Sequence, residues 1–342
     1  MKHLIGILTV LGWLPGCVSA ADYPQAEIAN GRIHAKLYLP DAQSGFYRAT
    51  RFDWSGAIAS LQFEGNSYYG PWYTKFDPAV RDFIYKDNDI VVGSVSAMMG
   101  PVEEFQKPVG YDAAKPGKTF LKIGVGVLRK PDDASYVAFK QYDLVDSGKW
   151  TVEKGPNFIT FVQHVTDNAS GYGYLYTKTV RLTMGKPEMV IEHSLKNLGR
   201  LPIRTNVYDH NFLVLDQAPT GPDFEITLPF EIKTTRPPNA EFAEIRKNQI
   251  AYLKTLTNQD RVTFPIQGFS SDPKDYDIRI ENRKLGAGMR VTGDRPLASE
   301  SLWSIRSVLA MEPFIDVVAE PGKEFTWKYT YTYYTVAKGN RP

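Results

Sequence analysis

The sequence predicts an all-β protein built from large, packed antiparallel sheets. Side chains alternate between apolar and polar in many short runs, and these runs end at Gly, Pro, Asn or Asp. Amphipathic helical patterns are scarce. The chain also contains 20 Tyr and 18 Phe residues, which suit the half-buried faces of strands. Together these features favour a large antiparallel β-sandwich.

The clearest strand is the run "FTWKYTYTYYT" near the end of the chain. Its alternation places five aromatic side chains on one face, namely Phe325, Trp327, Tyr329, Tyr331 and Tyr333. The opposite face carries threonines and Lys328. A period of two residues indicates a strand with one buried face.

Other segments are less uniform. "SGYGYLYTKTVRLTM" and "PEMVIEHSLKNLG" predict two strands joined by a turn at 185–187. Residues 239–256 carry a weak helical pattern, and we expect a short helix there. Residues 77–118 have no clear pattern, so we expect a long loop, a feature that is often functional in compact domains.

The charge balance and the counts of Cys and His limit which partners and metal sites are expected for this chain. The 342 residues include 40 Lys plus Arg and 38 Asp plus Glu, for a net charge of +2. This balance gives no support for a nucleic-acid partner. The sole cysteine is Cys17, so no disulfide is expected within the chain. Only four His residues follow Ala20, and we expect neither a structural zinc site nor a cofactor.

The first 20 residues predict a secretory signal peptide, with a basic start, an apolar run and the small-residue ending "VSA". Cleavage after Ala20 is one outcome. The other is a lipobox-like "LPGC", in which Cys17 carries a lipid that provides the only membrane contact. Both outcomes place the protein outside the cytoplasm, in the periplasm or the extracellular space. We expect a single domain over residues 21–342.

Two stretches carry candidate chemistry. Glu312 follows the apolar run "WSIRSVLAM", where poor solvation would raise its pKa and make it a better base. His210 lies in "TNVYDHNFLVLD", and histidine is the usual acid near neutral pH. Taken alone, each residue more often has a structural role, Glu312 as a surface residue at a strand end and His210 as a satisfied residue of an apolar strand. Alternation places four side chains of the second stretch on one face, Asn206, Tyr208, His210 and Phe212, with Asp209 opposite.

These stretches resemble the galactose mutarotase-like superfamily, the aldose 1-epimerases and their relatives. The similar segments are "MVIEHSLKNLGRLPIRTNVYDHNFL", "LWSIRSVLAMEP" and "PGKEFTWKYTYTYY". The resemblance implies a galactose mutarotase-like sandwich, a carbohydrate partner, Glu312 as the base and His210 as the acid. In the weaker N-terminal half, it implies a sugar-contacting arginine at Arg51 or Arg48.

The sequence departs from the family pattern in one respect. Family epimerases usually carry a second His in a His-Gly stretch, whereas this chain offers "MMGPVEEFQKPVGYD" in the expected region. A similar stretch occurs in a secreted subgroup of mutarotase-like proteins. Glu103 and Glu104 would then form a carboxylate pair that binds sugar hydroxyls or a cation, or would lie in a solvated loop.

Further candidates for sugar binding are aromatic and polar residues. Trp54, Trp72 and Trp303 could stack on a sugar or pack in the core, and Arg51, Arg306 and Asn206 could bind hydroxyls. Three hypotheses remain open. The chain could be an aldose 1-epimerase acting on a free sugar, a non-catalytic carbohydrate-binding protein, or a lyase or hydrolase on the same fold. A hydrolase would pair Glu312 with Glu103 or Glu104.

Overall fold

The computed structural model describes residues 23–339, which form twenty-five strands and one short 3-10 helix. The fold-class prediction is confirmed: the protein is all-β, with large antiparallel sheets. Within this range, no helix has the length and apolar character that a membrane crossing requires. The predicted signal peptide, including Cys17, lies outside the described residues.

The strands are numbered in chain order. The first half of the chain contains β1 (Gln25–Ala29), β2 (Ile33–Tyr38), β3 (Ile58–Phe63), β4 (Asn66–Ser67), β5 (Lys75–Phe76), β6 (Phe83–Lys86), β7 (Asp89–Val92), β8 (Gly100–Phe105), β9 (Thr119–Lys122), β10 (Gly126–Arg129), β11 (Asp143–Asp146), β12 (Lys149–Lys154) and β13 (Phe158–Asp167). The second half contains β14 (Tyr172–Leu182), β15 (Glu188–Asn197), β16 (Ile203–Phe212), β17 (Phe224–Thr227), β18 (Ala243–Arg246), β19 (Gln249–Tyr252), β20 (Arg261–Ile266), the 3-10 helix (Pro273–Asp275), β21 (Asp277–Asn282), β22 (Ala287–Gly293), β23 (Ser299–Ile305), β24 (Val308–Ala319) and β25 (Glu324–Thr335).

Two sheets form the sandwich. One has ten strands in the order β12-β13-β14-β15-β25-β22-β21-β17-β19-β18, and the other has five in the order β20-β23-β24-β16-β8. Their faces meet, because Tyr331 of β25 contacts Asp209 of β16 and His193 of β15 contacts Glu103 of β8. The alternation predicted for β25 is present, with Trp327 and the odd-numbered tyrosines buried between the sheets.

Three small sheets flank the sandwich: β1-β2-β3-β4, β11-β10-β9 and β5-β7-β6. The loops that connect their strands extend over the outer face of the five-stranded sheet, the face that points away from the ten-stranded sheet. Arg51, Ser96 and Phe139 come from three such loops and lie beside Tyr208 of β16. These loops therefore cover the outer face of β16 and its neighbouring strands, and a cavity lies between the loops and the sheet.

Two local expectations are wrong. Residues 239–256 form the hairpin β18–β19 instead of a helix, because Lys247 adopts a positive φ of 57° and closes a tight turn. Residues 77–118 are not one long loop, since they contain β6, β7 and β8. Every residue of β8 is buried, including Glu103 and Glu104. Because charged residues are buried on both faces of β8, the strand lacks the apolar alternation from which the sequence could have predicted it.

Candidate functional site

The site lies where the pairing of β16 with β24 is interrupted. Regular pairing ends at Tyr208 and Phe314 and resumes in a bridge between Leu213 and Leu309. Residues 209–212 on one strand face 310–313 on the other, so the register is kept across the gap and His210 lies opposite Glu312. Pro313 has no N–H to donate within this interval.

Asn211 stabilises the interrupted segment. Its side-chain amide donates to the backbone carbonyls of Asp209, at 3.1 Å, and Met311, at 3.0 Å. The Met311 bond connects the two strands where the ladder stops, and both bonds satisfy buried carbonyl groups. The side chains of residues 209–211 therefore point in two directions. Asp209 and Asn211 point toward the ten-stranded sheet, and His210 points into the cavity.

His210 and Glu312 are in direct contact. Nε2 of His210 lies 3.2 Å from Oε1 of Glu312. On the other side, the Ser301 hydroxyl of β23 donates to Oε2 of Glu312 at 2.7 Å. The strand register explains why Ser301 and Glu312 are adjacent, because the two residues are paired directly across β23 and β24. Glu312 is therefore held between two polar side chains from neighbouring strands.

Burial shifts the pKa values of the two groups in opposite directions. Burial raises the pKa of Glu312 to about 7, although the Ser301 bond opposes this shift. Burial lowers the pKa of His210 well below 6.5, and the charge of Arg51 adds to that effect. Below pH 7 the pair therefore holds one proton, which resides mainly on Glu312. His210 Nδ1 is buried and has no hydrogen-bond partner among residues 23–339.

Aromatic rings form the walls around His210. Its imidazole stacks on Phe212, with ring centroids 3.6 Å apart and an interplanar angle of 10°. Trp303 meets His210 edge-on at 5.7 Å, and Trp72 is parallel to Phe212 at 5.8 Å. The cavity has a volume of about 250 Å³. Flat apolar walls with a few polar groups are typical of small-ligand sites.

A cluster of charged groups forms the polar end of the cavity. Oε2 of Glu104 accepts a bond from Arg51 Nε at 2.8 Å and a very short one from the Tyr208 hydroxyl. Arg51 also donates to Tyr208 at 3.1 Å. Burial opposes ionisation of Glu104, but Arg51 and Lys122 outweigh it and lower the pKa of this carboxyl group. Glu104 is therefore an ionised acceptor whose Oε2 is occupied by protein donors, whereas its buried Oε1 accepts no hydrogen bond within residues 23–339.

Most of the site residues predicted from the sequence line this cavity: Arg51, Trp72, Glu104, Tyr208, His210, Trp303 and Glu312. Asn206 and Arg306 do not. Asn206 lies farther along β16 and donates to Gln106 at 3.4 Å. Arg306 lies in the turn between β23 and β24, and its guanidinium binds the carbonyls of Asn258 and Asn88. The predicted stacking residue Trp54 is buried in the core, where its indole donates to Ala49 at 2.7 Å.

Sequence reasoning missed several lining residues. Phe314 lines the cavity, and Ser301, which does not line it, bonds Glu312. They share a strand face with Glu312 and Trp303 respectively, so alternation could have indicated both. Asp82, Ser96 and Phe139 come from loops and carried no sequence signal. No group of three or more His, Cys, Asp or Glu side chains in the described part of the chain is arranged to hold a metal ion.

No protein-family model and no curated protein matches the chain. The Slr1438 protein from Synechocystis sp. PCC 6803 superposes with a TM-score of 0.54 at 11% identity, covering 94% of this chain and 100% of its own.

Two further solved structures have the same architecture. A putative aldose 1-epimerase from Escherichia coli K12 gives a TM-score of 0.54 at 12% identity, over 91% of this chain and 99% of its own. A galactose mutarotase-like protein from Clostridium acetobutylicum gives 0.51 at 10% identity, over 91% and 95%. The chain therefore has the fold of galactose mutarotase-like and aldose 1-epimerase structures.

Proposed function

We propose that this protein is an aldose 1-epimerase-like isomerase that binds a free sugar and interconverts its two anomers without a cofactor. The observation that carries the proposal is the contact between His210 and Glu312, opposite each other on neighbouring strands within an aromatic-walled cavity. Mutarotation requires two proton transfers, and an acid–base pair with suitable pKa values can perform both.

In the proposed reaction, the sugar replaces the direct contact between the two side chains. The Glu312 carboxylate takes the proton of the C1 hydroxyl, and the electrons of that O–H bond form the aldehyde. The C1–O5 bond breaks, and His210 Nε2 gives its proton to the ring oxygen. The open-chain aldehyde rotates and recloses on its other face, with the two roles reversed.

The reactive protonation state has a proton on His210 and none on Glu312. It contains the same number of protons as the resting pair, in which Glu312 holds the proton. A transfer from Glu312 to His210 as the sugar binds therefore generates it without a change of pH. The depressed pKa of His210 makes its imidazolium a strong acid, which favours donation to the weakly basic ring oxygen.

Hydrolysis receives less support from the same cavity. A glycosidase needs two carboxyl groups that are free to act on one bond. Two further carboxylates line the cavity besides Glu312. Asp82 accepts a bond from the Ser96 hydroxyl at 2.6 Å. Glu104 is bound to Arg51 and Tyr208, and its pKa is lowered. It is therefore a poor proton donor.

The test is anomer exchange of free aldoses followed by NMR. We expect the wild type to accelerate exchange of at least one aldose, and Glu312→Gln and His210→Gln each to reduce the rate by about 10²–10⁴-fold. Glu153→Gln, at an exposed position on β12, is the matched control and should retain the wild-type rate. No acceleration by the folded wild type would refute catalysis, and sugar binding without exchange would identify a binding protein.

A further inference from the structure

A second, larger pocket adjoins the candidate cavity. Its volume is about 840 Å³. It is lined by residues 46–49, 78–81 and 139–141. Positions one or two residues away on the same loops, Arg51, Asp82 and Ala138, line the smaller cavity. Phe139 lines both. The two spaces are therefore neighbouring compartments formed by the same loops.

The boundary between the compartments contains side chains of the shared loops. The Arg51 guanidinium lies 4.3 Å from the centre of the Phe139 ring and donates to Ser96 Oγ at 3.3 Å. Ser96 in turn donates to Asp82 at 2.6 Å. A molecule longer than one sugar ring with one end at His210 would extend past Phe139, which lines both spaces, into the larger pocket.

The larger pocket differs from the cavity in charge. It is lined by Arg48, Arg81 and Lys140 and by no Asp or Glu. Lys140 pairs with Asp132 at 3.3 Å. In the part of the chain that the structure describes, neither arginine has a carboxylate within ion-pair distance. Arg48 donates to the Gln43 carbonyl and Arg81 to the Phe139 carbonyl, so both guanidinium groups retain donors for an anion.

Apolar surface accompanies these cations. Phe76 lines the pocket with 56% of its surface exposed, and Phe46 and Val80 line it as well. An exposed aromatic ring beside arginines that form no ion pair suits a ligand with both a sugar ring and a negative charge. The apolar C–H face of a sugar can pack on phenylalanine while its charged group binds a guanidinium fork.

We propose that the larger pocket binds the acidic part of an oligosaccharide whose free reducing end enters the smaller cavity. This inference rests on the proposed function, because it assigns the terminal sugar to the His210–Glu312 site. The anionic group is a carboxylate or a sulfate, and Arg48 and Arg81 bind it. The substrate class is thus an acidic oligosaccharide, longer than a neutral monosaccharide.

The test is calorimetric binding of trigalacturonate and of its methyl-esterified form, which has the same sugars without the charge. We expect the charged form to bind at least tenfold more tightly and to lose affinity as the salt concentration rises. The double variant Arg48→Gln/Arg81→Gln should remove this preference. Arg236→Gln, at an exposed position outside both compartments, should leave it unchanged. A sulfated galactotriose measured in parallel shows which anion is preferred.

A second variant tests the location independently of charge. Ala79→Trp, at an exposed position in the larger pocket, should weaken binding of both trisaccharides and leave monosaccharide binding unchanged. Equal affinity for the charged and esterified forms would overturn this inference even if anomer exchange is observed. Charge-dependent binding that needs the two arginines, without any exchange, would support the pocket and refute only the catalytic proposal.

Discussion

Glu103 and Glu104 are consecutive residues whose carboxylates lie on opposite faces of β8. Glu104 faces the cavity and binds Arg51 at 2.8 Å. Glu103 faces the ten-stranded sheet, where its Oε1 lies 2.7 Å from His193 Nε2 and its Oε2 contacts Lys178. The expectation that both act as one carboxylate pair on a sugar or a cation is therefore wrong, as is the expectation of a solvated loop.

Glu103 is predicted to stabilise the fold without affecting the chemistry. Burial would raise its pKa, but Lys178 and His193, with their hydrogen bonds, together outweigh burial and lower the pKa to about 2. Asp53 is the other carboxylate near Lys178, at 3.7 Å. Glu103→Gln removes the closer counter-charge, and we expect the free energy of unfolding to fall by about 3–5 kcal/mol in urea titrations.

The folded fraction of Glu103→Gln should keep wild-type kcat and KM for anomer exchange, since the carboxylate lies on the face away from the cavity. Glu153→Gln should change stability by no more than about 0.5 kcal/mol. An unaltered unfolding midpoint for Glu103→Gln would contradict the assigned role of the buried ion pair.

Asp209 is predicted to be protonated at neutral pH. The single proton of the Tyr331 hydroxyl is shared between two neighbours, Asp209 Oδ2 and Asn211 Oδ1. The amide of Asn211 is oriented by its two N–H bonds, so its Oδ1 can only accept. A protonated Asp209 would donate to the Tyr331 oxygen and leave the Tyr331 proton for Asn211. Burial, with the charge of Glu103, raises the pKa of Asp209 to about 8, which agrees with this arrangement.

This raised pKa makes stability depend on pH. Below pH about 4, Asp209 is protonated in both the folded and unfolded states. Between pH about 4 and 8 only the unfolded state ionises, so Asp209 lowers the free energy of unfolding by up to about 1.4 kcal/mol per pH unit. Asp209→Asn keeps a donor for Tyr331 and removes this dependence. From pH 5 to pH 8, the temperature of thermal unfolding should fall less for the variant than for the wild type. An equal fall in both proteins would disprove the assignment.

The sequence predicted local features better than long-range ones. Alternation correctly placed Asp209 and His210 on opposite faces, because a strand's period depends only on neighbouring residues. The contact between His210 and Glu312 depends on the register of β16 against β24, which local pattern does not encode. The sequence supported that pairing only through resemblance. The loop residues Asp82, Ser96 and Phe139 were missed because their positions depend on the packing of three separate small sheets.

Ser301 is predicted to tune the pH dependence of catalysis. The reactive pair holds one proton, so kcat/KM should fall as pH rises through about 7, where that proton is lost. The Ser301 bond stabilises the Glu312 carboxylate and lowers its pKa. Ser301→Ala should therefore move the descending limb to higher pH, by about 0.7 unit for a bond worth about 1 kcal/mol. A pH profile identical to the wild type would show that Ser301 does not act through Glu312.

Trp303 and Trp72 are predicted to have different roles although both line the cavity. Trp303 is half-buried, whereas Trp72 is 3% exposed and donates its indole N–H to the Met98 carbonyl at 2.9 Å. Trp303→Leu should raise KM for the sugar by about tenfold, because it removes a ring worth about 1.4 kcal/mol as a stacking surface. Trp72→Phe should leave KM within about twofold and lower the free energy of unfolding by about 1 kcal/mol or more. Anomer-exchange kinetics and urea unfolding of both variants separate these roles, since a sugar that stacks on Trp72 instead would give the reverse pattern of KM values.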